Sequence, residues 1–102
     1  MNLWLAFAAA VAFAVGGVCM KYSAGLTRPV PTALLFLLFG AGAAAQTLAM
    51  RHAQMGATYI FVLGLESVLA FLLGVAVFGE PATPLRIAAV ALVTVGVILL
   101  RR

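Results

Sequence analysis

Four long apolar runs, broken by three short polar stretches, account for nearly all of this 102-residue chain. The runs fall at about residues 2–20, 32–50, 57–78 and 85–100, and each is continuously apolar rather than alternating, which predicts helices and argues against barrel strands. A membrane span needs roughly 20 apolar residues, so the chain holds four spans and leaves no room for a soluble domain. The first break, Lys21 to Pro31, carries Ser23, Gly25, Arg28 and Pro29, and its paired prolines preclude one continuous helix through it. The second, Arg51 to Gly56, is short, and the third, Gly79-Glu80-Pro81-Ala82-Thr83-Pro84, combines a glycine stop with a proline start. Links this tight force successive helices to run antiparallel. The expected fold is an all-α membrane protein, a single domain over residues 1–102 built as a four-helix bundle. No charge precedes Lys21, so the first run lacks the basic n-region of a signal peptide and reads as a retained helix.

Composition agrees with the pattern: 67% of residues are hydrophobic and 8% are charged, with a mean hydropathy of +1.27. The net charge of +4 is spread over the breaks without a cluster, which is interfacial anchoring and not a nucleic-acid surface. With the N-terminus inside, Arg51, Arg101 and Arg102 lie on the inner side and Lys21, Arg28 and Arg86 on the outer, three against three. Loop charge therefore does not choose an orientation. Such balance fits a dual-topology protein, and equally a chain oriented by a partner. Cys19 is single, His52 stands alone at a helix end, and no metal constellation, catalytic triad or phosphate loop is present, so neither an enzyme nor a cofactor is expected.

Glu66 is the exception in this background. It is the only charged side chain in the interior of an apolar run, near the middle of the third. A carboxylate at the bilayer centre costs about 2.5–3.5 kcal/mol on insertion scales and normally faces a bundle interior or a wet cavity. Tyr59, Val62, Leu63, Glu66 and Ala70 share one helical face. Two roles fit the acid: a proton- or cation-binding site, or a buried hydrogen bond to another helix or a basic residue. Small residues form a second signal. Ala6, Ala9, Ala10, Gly16 and Gly17 in the first run, Gly40 to Ala45 in the second, and Ala88, Ala89 and Gly96 in the fourth let backbones approach closely. In the fourth run Ala89, Leu92, Val93, Gly96 and Leu100 fall on one face, a plausible seam to another chain or within this one. Four short helices enclose little volume, so a solute-moving chain of this size needs at least two copies.

The stretch Met20-Lys21-Tyr22-Ser23-Ala24-Gly25-Leu26-Thr27-Arg28, followed by Pro31, resembles the first loop of the small multidrug resistance family, within the drug/metabolite transporter superfamily. Ala45-Gln46-Thr47-Leu48-Ala49 is similar to the end of its second helix, Gly56-Ala57-Thr58-Tyr59 to the start of its third, Phe78-Gly79-Glu80 to the end of that helix, and Val95-Gly96-Val97-Ile98-Leu99 to its fourth-helix dimer motif. The matches keep their spacing along nearly the whole chain. The resemblance implies an antiparallel dimer in the bacterial inner membrane that exports cationic or amphipathic molecules in exchange for protons. The candidate substrate- or proton-binding residues are Glu66, Tyr59, Phe13, Leu63 and Gly17. Two positions depart from the family: Phe13 stands where it has its essential helix-one acid, and Val62 where it has a tryptophan, while Tyr59 is kept. Either Glu66 supplies the carboxylate from a different helix, or the chain belongs with divergent branches that resemble subunits of heteromeric pumps or of flippases for undecaprenyl-linked amino sugars. Gly16-Gly17-Val18-Cys19-Met20-Lys21 is similar to the flippase branch, whose ligand is a lipid head group. A homodimer, a heterodimer with a second four-helix chain, and a non-transporting membrane partner are the corresponding assemblies.

Overall fold

The computed structural model describes residues 2–101, with no account of the Arg101 side chain; Arg102, counted above on the inner side, lies outside the described residues. Four helices follow in order: α1 (Leu3–Tyr22), α2 (Pro29–Ala49), α3 (Met55–Phe78) and α4 (Pro84–Arg101). The first three are long and apolar enough to cross a membrane, and α4 is a shorter apolar helix. At a rise of 1.5 Å per residue α4 is about 27 Å long, close to the hydrocarbon thickness.

The helix ends follow from local chemistry. Asn2 caps α1, its side-chain oxygen accepting from the N–H groups of Trp4 (3.1 Å) and Leu5 (3.3 Å). α2 starts at Pro29 and not after Pro31, because first-turn N–H groups have no helical partner and a proline there forfeits nothing. α3 likewise starts at Met55, slightly before the expected Ala57. It ends on Gly79 in the left-handed conformation (φ 64°), with the Glu80 N–H donating to the Gly74 carbonyl at 3.2 Å. Between α1 and α2 the chain passes through three consecutive left-handed residues, Ala24, Gly25 and Leu26 (φ 50°, 73° and 70°). Buried Ser23 pins this turn, donating to the Met20 carbonyl at 2.7 Å and accepting from the Leu26 N–H at 3.3 Å. Thr83 opens α4 by accepting from the Arg86 N–H at 3.3 Å.

Packing is uneven. α1 lies between α2 and α3, whereas α4 contacts α3 alone among the described residues. The core is the alanine face of α1, Ala6, Ala9 and Ala10, closed by Ala49, Phe61, Val62 and Val97. Residues this small bring the α1 backbone close to its neighbours where no hydrophobic force drives association.

Two Phe-x-x-Gly segments, Phe13 to Gly16 on α1 and Phe39 to Gly42 on α2, interlock. The Phe13 ring fills the notch at Gly42 and the Phe39 ring fills the notch at Gly16, with the ring centroids 5.4 Å apart. On the other side, Val97 of α4 inserts at Gly64 of α3. The resulting slab measures 40 × 34 × 17 Å. A helix with side chains is about 10 Å across, so the thin dimension has no space for an enclosed central chamber.

Candidate functional site

Glu66 projects from the middle of α3 and is half-buried. One turn before it, Val62 is fully buried against the core, while Tyr59 and Leu63 are exposed by 47% and 44% and Ala70 is also exposed. The acid thus stands on the border between the packed and open sides of α3. Among the described residues no hydrogen bond or ion pair engages its carboxylate. Tyr59 lies on the same side, about 10 Å along the axis at 1.5 Å per residue, toward the start of the helix.

The remaining expected site residues divide. Gly17 joins Ala14 and Val18 of α1 and Ala70, Leu73 and Gly74 of α3 around a pocket of about 170 Å³, whose mouth carries Lys21, Phe78 and Glu80. Ala70 lies one turn beyond Glu66, so the pocket continues the acid's own line along α3. Phe13 is not directed there: its ring is held between Phe39 and Gly42 on the α2 side of α1. The Phe13 ring also packs against the core cluster that contains Val62. A second, larger cleft of about 630 Å³ separates α1, α3 and α4 and is lined by Phe7, Phe61, Leu65, Val68, Val97 and Ile98 among others, with no charged residue.

On α4, Ala89, Leu92, Gly96 and Leu100 are exposed, and a Cβ added at Gly96 would meet nothing. Val93 sits at the edge of this face, its Cγ1 within reach of Gly64. The interlocked Phe-x-x-Gly pair and the Lys21–Glu80 pair were not singled out from the sequence. Repetition of Phe-x-x-Gly in successive spans was the available signal for the first, and a carboxylate directly after a helix-ending glycine for the second.

The sequence profile described as Small Multidrug Resistance protein matches residues 1–93. The chain belongs to the small multidrug resistance family. A guanidinium exporter of Escherichia coli (strain K12) is 32% identical over 88 residues, covering 86% of this chain and 81% of the exporter. A guanidinium exporter of Citrobacter freundii is 31% identical over the same shares, and the uncharacterized membrane protein YvaE of Bacillus subtilis (strain 168) is 29% identical over 96 residues, 93% of this chain and 81% of that protein. Family members are small membrane transporters, and the four-helix architecture found here is theirs.

Proposed function

We propose that the chain forms half of an antiparallel dimer in the bacterial inner membrane that exports a small cation of the guanidinium or amphipathic class in exchange for protons, with Glu66 as the membrane carboxylate. The observation that carries this reading is the position of Glu66 at the border of the open side of α3, next to exposed Leu63 and two turns from exposed Tyr59, with no partner within the described residues. A carboxylate is costly to leave facing lipid, which supports a second chain covering that face. Once covered, the carboxylate can hold a proton or a cation but not both, and exclusive occupancy is what an exchanger requires. Guanidinium, planar and weakly hydrated, matches a carboxylate in a two-point charge-assisted pair. The relatives named as guanidinium exporters favour that substrate over a lipid head group.

Phe13 supports a second reading in which the partner is a different four-helix chain. Its ring fills the Gly42 notch at the position of the family's helix-one acid, so a partner carrying that acid would supply what this chain lacks. In vesicles reconstituted with this chain alone, an imposed pH gradient should drive guanidinium movement, and Glu66→Gln should abolish it while the purified protein stays folded. Wild-type rates from Glu66→Gln end the carboxylate assignment. Inactivity of the chain alone, rescued by co-reconstitution with a second family member, selects the heterodimer.

A further inference from the structure

Lys21, Phe78 and Glu80 gather at the mouth of the 170 Å³ pocket, where the ends of α1 and α3 meet. The Glu80 side chain folds back over α3 into the notch at Gly74, which sets its carboxylate at the rim. The Lys21 Nζ lies 3.9 Å from Glu80 Oε2 and 5.5 Å from the centre of the Phe78 ring, and Tyr22 packs against that ring at 5.2 Å. A carboxylate beside an aromatic face is a recognition set for a small cation. Here the cation in it belongs to the chain. The pair is long for an ion pair and both side chains are well exposed, 61% for Lys21 and 45% for Glu80. Exposed pairs of this kind are weak.

We propose that Glu80 and the Phe78 ring form a vestibule for a small planar cation of the guanidinium class, with the Lys21 ammonium as the tethered competitor that the cation displaces. Guanidinium stacks on a ring face and bonds a carboxylate with two parallel donors, which a point-charge ammonium cannot do. The pocket behind the rim has room for about five waters at their liquid volume, enough for an ion of that size. From the Gly74 notch, Ala70 and then Glu66 follow at successive turns of α3. Glu80 and Glu66 thus mark two stations on one side of the helix, roughly 12 Å apart along the axis from Gly74 to Glu66. The inference rests on the reading of the chain as a cation exporter, since it names where the cation is received on its way to or from Glu66.

Titration of isotope-labelled protein in nanodiscs with guanidinium chloride, against sodium chloride at equal ionic strength, tests it through the backbone amide shifts of Gly79 and Glu80. A saturable, guanidinium-specific shift is expected in the wild type and in Glu66→Gln, and its loss in Glu80→Gln, whose equal length still fills the Gly74 notch. Lys21→Gln should tighten binding by about two- to fivefold, the strength of the exposed pair it removes. Should Glu80→Gln fail to fold, the direction of the Lys21→Gln change decides, and weaker or unchanged binding overturns the vestibule. Absence of a saturable shift in the wild type, or its survival in Glu80→Gln, does the same. Loss of transport in Glu66→Gln with the Gly79 and Glu80 shifts intact separates the two sites, so failure at one is not read as failure at the other.

Discussion

Replacing Gly42 by alanine is the sharpest test of how α1 and α2 are joined. A Cβ at Gly42 would lie 2.8, 2.9 and 3.1 Å from Cε1, Cδ1 and Cζ of Phe13. The ring has little freedom to retreat, because Phe39 stacks on it at 5.4 Å and Phe39 is itself lodged at Gly16. Overpacking of this kind costs about 1–3 kcal/mol. The same substitution gains about 1 kcal/mol wherever alanine replaces glycine inside a helix. Gly40, two positions away on α2 and with nothing within 4 Å of an added Cβ, isolates the gain. The difference in stability between Gly42→Ala and Gly40→Ala should therefore be about 1–3 kcal/mol, with Gly40→Ala the more stable variant. Reversible unfolding of the purified protein in mild detergent, followed by far-ultraviolet circular dichroism, gives both values. In a Phe13→Ala background the ring is absent, and the two alanine variants should become alike, since the coupling lies in one contact. Equal stability of the two variants in the wild-type background refutes the interlock.

Gly79→Ala forces a side chain onto a left-handed residue at the end of α3 and should destabilise by about 1–2 kcal/mol in the same unfolding measurement. Phe13→Glu removes the ring from between Phe39 and Gly42 and leaves a carboxylate in that apolar seat; it should lower stability by about 3 kcal/mol or more and should not rescue guanidinium transport in a Glu66→Gln protein, as vesicle uptake will show. Adding one lysine beside Arg51 should fix the C-terminus on a single side, read with paired cytoplasmic and external reporters, because three basic residues on each side leave the orientation undecided.

The spans were legible because hydropathy over a bilayer is a strong signal, and Glu66 because a charge inside one is costly. Helix ends are less legible where proline can be either a break or a start: Pro29 and Pro31 open α2 instead of preceding it, since first-turn N–H groups are unpaired in any helix. The face containing Tyr59, Leu63 and Glu66 was recoverable from spacing, but its openness was not, because periodicity does not say which side a neighbour occupies. Phe13 shows the same limit. Its position along α1 follows from alignment with the family, while the direction of its ring is set by a notch at Gly42, twenty-nine residues away in sequence and therefore invisible to any local pattern. Lys21 and Glu80 were each visible singly; only the parallel course of α1 and α3 makes them a pair.

The glycines sort the surfaces of this slab into those already used and those left over. At Gly16, Gly42, Gly64 and Gly74 an added Cβ would strike Phe39, Phe13, Val97 and Glu80, so these notches are filled within the chain, and Gly25 and Gly79 serve turns. At Gly17, Gly40, Gly56 and Gly96 an added Cβ would meet nothing. Close approach is the use that small residues have in a membrane, where apolar contact with lipid is as favourable as contact with protein. Gly96 lies on the face of α4 that carries Ala89, Leu92 and Leu100, and Gly17 lies in the groove that leads to Ala70 below Glu66. Two of the four unfilled notches, Gly17 and Gly96, therefore accompany the regions that the half-buried, unpartnered acid and the singly packed α4 mark as incomplete. A second chain that seats on α4 and covers the open side of α3 would account for both, and it would convert a carboxylate at the edge of a thin slab into one inside a shared cavity, where proton and cation compete for it.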